Sequence, residues 1–433
     1  MPKDTHLHFY QPENSNFSVK NPLSRRTNYN GSTIVTNMLY LSTYTKDTNV
    51  GPLFIACGEH SPILTSIDGI TWVSPNNMPT HIINSVSYNN DQIIAVGDTH
   101  ICTNSNAIPS ILSSKNTKDW EFIDNLYGIG NYDIYDITNG VPMYGSSLWV
   151  IGDQTSETKI KVSRDSSNWI DSYNNPLSVI YSVAYGNGSF VAIGLDSNTE
   201  GTTTYPFVSP DGFSWARANN TPFNSGGFTD LLRFKVDFLN NQWFMTGYDT
   251  SVGNTIGISS NGYNWYNSVG TDPFYNGVCR GIAYAKDNNR SSLYIAVGSN
   301  DTTKSTIAYS YNGSNWTGVS NNPFPGGYGI SVVYGNNTWV ALGVSGTSNN
   351  LVATSSNGFD WVAGSNPFPM ETMRSIKYIS THTTPMMNNT TVNFGSTFSF
   401  SVIDNKLALN SGDKYLIFRN SVIDYLNNEN MWV

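Results

Sequence analysis

Residues 209–215 read SPDGFSW, residues 259–265 read SSNGYNW and residues 310–316 read SYNGSNW. The same seven-residue phrase begins at Ser66 (SIDGITW), Ser114 (SKNTKDW), Ser163 (SRDSSNW) and Ser355 (SSNGFDW), so successive copies stand 48, 49, 46, 50, 51 and 45 residues apart. The shared pattern is Ser, any residue, Asp or Asn, usually Gly, two further residues, then Trp. Spacing this steady marks an internal repeat, and a repeat of this period is one supersecondary unit stacked on its neighbours.

Two further phrases accompany each copy. One is a short apolar run ending in glycine: FIACG, IIAVG, LWVIG, VAIG, WFMTG, YIAVG and WVALG, closing at Gly58, Gly97, Gly152, Gly194, Gly247, Gly298 and Gly343. Such a run reads as a buried strand meeting a turn. Earlier in the repeat stand NSVSY, YSVAY, RGIAY and ISVVY, which also read as strands and are often joined to the apolar run by GNG or GNN, a hairpin signal. No helical period is present. Four antiparallel strands in 45–51 residues is the pattern of a β-propeller blade, so the expected fold is all-β, with seven four-stranded blades and a C-terminal β tail.

The phrase resembles the Asp-box, the turn of sialidase-like propellers, and the resemblance covers roughly residues 31–379. It implies that Ser66 and its counterparts, with Asp68, Asp165, Asp211, Asn261, Asn312 and Asn357, clamp the turn between the third and fourth strands. It also implies that Trp72, Trp120, Trp169, Trp215, Trp265, Trp316 and Trp361 pack into the propeller body, which makes the phrase scaffold rather than site. Asn can replace Asp because it offers the same acceptor and tolerates left-handed backbone.

The ends are less regular. An N-terminal arm over 1–30, a propeller over 31–370 and a C-terminal β extension over 371–433 are expected. NMLYLSTY reads as the first inner strand. After the seventh phrase, NPFPMETMRSIKYIS reads as an eighth inner strand, so the alternative is eight blades, the last closed by the N-terminal FSVKNPL. The arm before Asn30 is polar and matches no repeat phrase, so it is expected to be disordered alone and to order on a partner.

Composition narrows the function. Only 12% of residues are charged, aromatics make up 13%, and the formal net charge is -9. No basic run could neutralise a row of phosphates, so nucleic acid is not an expected partner. No apolar run approaches a membrane span. The polar start MPKDTHLHFYQPENS carries no secretory signal. Cys57, Cys102 and Cys279 are odd in number and far apart, and read as free thiols. His6 and His8 lack further ligands for a metal, and GNGSFVAIG is a hairpin rather than a nucleotide loop, so no metal and no cofactor is expected.

The best enzymatic constellation is Arg233, Arg280 and Arg374 at or near inner strands, with Glu371 beside them. Sialidases, however, have an N-terminal Arg-Ile-Pro signature that is absent here, and six blades. The protein is therefore expected not to be an enzyme. Binding is expected on the face carrying the variable loops, where Tyr205, Phe228, Tyr248 and Tyr275 are candidates to stack on a ligand. The repeat style, with heavy Asn, is similar to propellers encoded by large DNA viruses of protists. That resemblance implies a non-enzymatic virion structural or accessory protein, assembled in the host cytoplasm, with capsid or other virion proteins as partners. The alternative is a carbohydrate-binding host-attachment propeller with host-surface glycans as partners, and, behind it, a sialidase-like hydrolase.

Overall fold

The computed structural model describes most of residues 52–380, with breaks in several loops, and seven short strands outside that range. The chain divides into two units, residues 49–382 and the two ends together, 1–48 with 383–433. The described residues contain strands and turns and no helix, so none is long and apolar enough to cross a membrane.

Residues 49–382 form a seven-bladed propeller. Blade 4 shows the unit in full: Leu177–Gly186 pairs with Ser189–Asp196, which pairs with Thr204–Ser209, which pairs with Ala216–Arg217, all antiparallel. Blades 2, 3, 5, 6 and 7 repeat this order from the inner strands Ile82–Tyr88, Ile134–Gly140, Lys235–Leu239, Val278–Lys286 and Tyr328–Gly335. The second strands Leu53–Gly58 and Ile93–Asp98 are buried at every residue, and those of blades 4 to 7 are part-exposed only at or near their ends, because a neighbouring blade covers each face.

Blade 1 closes the ring. Its inner strand is Met373–Ile379, paired antiparallel with Leu53–Gly58, which pairs with Leu64–Ser66. A bridge between Thr65 and Val73 stands where the fourth strand runs in other blades. The segment expected to begin an eighth blade thus completes the first, and the eight-bladed alternative does not hold. NMLYLSTY is not the first inner strand either: Tyr40–Thr43 pairs with Phe17–Lys20, the strand offered as a closing edge. Sharing one blade between the two ends of the ring satisfies backbone groups that would otherwise be sheet edges.

In the other unit, Arg25–Thr27 pairs with Thr33–Val35, and Ser399–Ile403, Lys406–Ser411 and Lys414–Ile417 form a three-stranded sheet. Within residues 1–30 there are two strands, Phe17–Lys20 and Arg25–Thr27, and Thr33–Val35 follows.

Among the described residues the core falls into seven apolar clusters, and each lies at one blade–blade junction. Phe54 and Met373 of blade 1 meet Val340 and Leu342 of blade 7 in one of them, so the closing junction is packed like the rest. Every phrase tryptophan seals the junction to the preceding blade: Trp120, Trp169, Trp215, Trp265, Trp316 and Trp361 are buried, and Trp72 is half-buried.

Candidate functional site: the repeat turns and the central channel

The seven phrases share one hydrogen-bond set. The Asp or Asn Oδ1 accepts the backbone N–H groups two and three residues on, at 2.7–3.0 Å, in every copy. In six copies the Ser Oγ accepts the N–H of the fourth residue at 2.8–2.9 Å. The Trp Nε1–H donates to the fourth residue's carbonyl at 2.7–3.2 Å in all seven. That fourth residue has positive φ throughout, which suits the five glycines; Thr117 (φ 63°) and Ser166 (φ 65°) are held there as L-residues. Burial alone would raise the Asp165 carboxyl, but hydrogen bonds from Asn168, Ser167 and Ser163 outweigh it and bring it down to about 2.

Linker asparagines tie three of these turns to the blade before. Asn174 donates to Trp215 O (3.0 Å) and accepts Trp215 N–H (2.9 Å); Asn220 does the same to Trp265 (2.6 and 2.8 Å), and Asn321 donates to Trp361 O (2.8 Å).

The inner strands enclose a central channel with a cavity of about 620 Å³. Six inner strands shift register opposite the second strand's glycine or one residue from it, leaving Asn84, Tyr135, Tyr181, Arg280, Ile330 and Arg374 as the extra residues, and the blade 4 strand shifts a second time at Ser178. A bulge re-aims its side chain, and Asn84, Arg280, Ile330 and Arg374 line the channel. The recurring glycine lies within or at the end of the second strand in six blades, and directly after it at Gly247 in blade 5. A Cβ on Gly97 would stand 1.8 Å from Ile82 O, and one on Gly194 would stand 1.9 Å from Val179 O, so close approach at the bulge requires glycine.

Six charged side chains line the channel: Asp136, Lys235, Asp237, Arg280, Arg374 and Lys377. Asp136 accepts Ser85 Oγ and Ser182 Oγ, each at 2.6 Å, and the N–H groups of Ile137 (3.0 Å) and Val183 (3.2 Å), with Lys235 Nζ at 3.7 Å. Burial pushes its carboxyl up, but Lys235, Lys377, Ser182 and Ser85 together hold it below the ordinary carboxylate range. Asp237 lies 3.9 Å from Lys377; burial, with a contribution from Asp136, raises its carboxyl despite that lysine. Burial would lower the Lys377 ammonium, but Asp237 and Asp136 outweigh it and raise it. Arg280 lies over the Tyr328 ring at 4.3 Å and donates to Ser299 Oγ at 3.4 Å. Arg280 and Arg374 thus share the channel, whereas Arg233 and Glu371 lie outside the described residues.

The candidate aromatics are dispersed. The Tyr205 ring is covered by the Arg217 guanidinium at 3.6 Å, and Arg217 in turn pairs with Asp196 at 2.7 Å, so that face is occupied. Tyr248 is half-buried just past the second strand of blade 5. Tyr275 is 51% exposed on a turn anchored by Asn300, whose Nδ2 donates to Pro273 O and Tyr275 O at 3.2 Å each. Phe228 lies outside the described residues. Cys57 and Cys279 are buried and free, burial raising both thiols, Cys57 to about 12; Cys102 lies outside the described residues.

No family model matches the chain, and no curated protein matches it. Among solved structures it is similar to the BP39L lectin from Burkholderia pseudomallei, with 13% identity, TM-score 0.44, and coverage of 72% of this chain and 94% of that one. It is also similar to Trypanosoma rangeli sialidase, with 12% identity, TM-score 0.40, and coverage of 68% and 55%. Penicillium chrysogenum alpha-L-arabinanase is a third, with 13% identity, TM-score 0.35, and coverage of 84% and 93%. These likenesses are of overall shape and transfer no residue.

Proposed function

We propose that the chain is a non-enzymatic binding scaffold, a structural or accessory component of a virion assembled in the host cytoplasm, with capsid proteins as partners. The observation that carries the non-enzymatic reading is the state of the channel carboxylates. Asp136 and Asp237 are the acids among its described lining residues. Asp136 is saturated by four donors and Lys235, and Asp237 faces Lys377. Both carboxylates are thus already engaged by the protein's own donors and lysines. The virion role rests on the repeat style and on a composition with only 12% charged residues. Two measurements test it. Recombinant protein should turn over no fluorogenic sialoside, and mass spectrometry of purified particles should find the chain in them. Turnover abolished by Arg280→Ala and Arg374→Ala refutes the first part, and absence from particles refutes the second.

The anchored, exposed Tyr275 favours one second reading, a glycan-binding propeller. A glycan array that gives binding lost in Tyr275→Ala would select it.

A further inference from the structure

Seven Asn-Gly pairs occur in the chain, at Asn30, Asn139, Asn187, Asn261, Asn276, Asn312 and Asn357. Asn-Gly is the pair most prone to spontaneous deamidation, because glycine puts no side chain in the way of ring closure. In that reaction base removes the backbone N–H proton of the glycine. The nitrogen then bonds to the Asn Cγ, the Cγ–Nδ2 bond breaks, and ammonia leaves with a proton from water. Water opens the resulting succinimide at either carbonyl, giving aspartate or isoaspartate and one new negative charge.

The structure sorts these pairs sharply. Asn261, Asn312 and Asn357 are the phrase asparagines. Each Oδ1 accepts two backbone N–H groups, and the N–H of each following glycine is donated to Ser259, Ser310 or Ser355 at 2.9 Å. Ring closure there must break three hydrogen bonds and the turn. At Asn276 the reacting N–H of Gly277 is donated to Phe274 O at 2.6 Å. Asn139 lies in an inner strand, with Oδ1 accepting Ser147 Oγ and Nδ2 donating to Leu148 O. Asn30 lies outside the described residues.

Asn187–Gly188 has none of this. It is the two-residue hairpin turn of blade 4, with φ 49° and 75°, and Asn187 is exposed. Its side chain has no hydrogen-bond partner among the described residues, and a Cβ on Gly188 would meet nothing within 4 Å. The same turn in blades 5 and 7 is Asn240–Asn241 and Asn336–Asn337, also at positive φ. There Nδ2 of the first Asn donates across the junction, from Asn240 to Tyr294 Oη (2.9 Å) and from Asn336 to Ile67 O (3.0 Å). We infer that Asn187 is a spontaneous modification site, which converts to aspartate or isoaspartate as the protein ages, while the repeat clamp shields the three phrase asparagines from the same chemistry.

The test is peptide-resolved mass spectrometry of the intact protein held at mildly alkaline pH, with isoaspartate counted separately. Conversion at Asn187 is expected to be at least about tenfold faster than at Asn261, Asn312 and Asn357, as breaking several hydrogen bonds implies. In urea the four rates should converge. Equal rates in the folded protein overturn the inference, as does a difference that persists in urea. Gly188→Asn recreates the pair that blades 5 and 7 tolerate and so keeps the turn. It should bring conversion at Asn187 down to the rate of the phrase sites, and undiminished conversion there overturns the assignment.

Discussion

Replacing Trp265 with alanine tests whether the phrase is scaffold. The indole is 1% exposed in the cluster between blades 4 and 5, where Val191, Val208 and Trp243 also lie. Its Nε1–H donates to Gly262 O at 2.7 Å. Deleting a buried aromatic of this size removes its transfer free energy and leaves a cavity, which costs about 3–5 kcal/mol. Trp72 occupies the same phrase position in blade 1 but is only partly buried and follows a turn whose outer strand is a single bridge. Less apolar area returns to water there, so Trp72→Ala should cost about 1–3 kcal/mol. Urea unfolding of the two variants beside the parent protein, followed by tryptophan fluorescence and by circular dichroism, measures both. A Trp265→Ala protein that unfolds like the parent, or costs equal at the two positions, would refute the argument that burial at the junction sets the role of the phrase.

Asn220→Ala removes both hydrogen bonds to the Trp265 backbone and should cost about 1–3 kcal/mol in the same assay; no change would mean the linker staple is incidental. Asp165 has a folded pKa near 2 against an ordinary 3.8, so its contribution to stability is present above pH 3.8 and is lost as pH falls toward 2. Asp165→Asn should therefore flatten the acid limb of a stability–pH curve over that window, and an unaltered limb would refute the assignment. A chain spanning 49–382 should melt cooperatively, whereas one ending at 370 lacks Met373–Ile379 and should not; cooperative melting of the shorter chain would refute the closure.

The blades were legible because each one writes the same physical requirements into the sequence. A turn held by Ser and Asp or Asn, a positive-φ residue and a buried indole leave a fixed spacing that no other constraint blurs. The closure was not legible. RSIKY at 374–378 has the pattern of every inner strand, and nothing local says that its partner is FIACG at 54–58, more than three hundred residues earlier. Pairing at that separation is a property of the ring, and a scan along the chain counts an inner strand too many at one end and supplies a false one at the other.

The channel was half legible for a different reason. Bulge residues Arg280 and Arg374 stand out as charges in mostly apolar strands, so the sequence could point at them. The partners of Asp136 come from three blades: Ser85 of blade 2, Ser182 of blade 4 and Lys235 of blade 5. Those serines occupy the inner-strand position that also holds Asp136, Lys235, Gly281, Ser331 and Ser375, so the small polar character of that position is visible as a column once the blades are superposed. Reading down each strand hides it, and reading across the ring exposes it. The aromatic candidates failed for the converse reason: an exposed ring and one capped by Arg217 look identical in sequence, and only the fold separates Tyr275 from Tyr205. In a closed ring of repeats, chemistry is therefore to be sought in departures from the column. Lys235, Asp237 and Lys377 break the pattern that their neighbours keep, and it is there that any ligand of the channel would have to displace an existing ion pair.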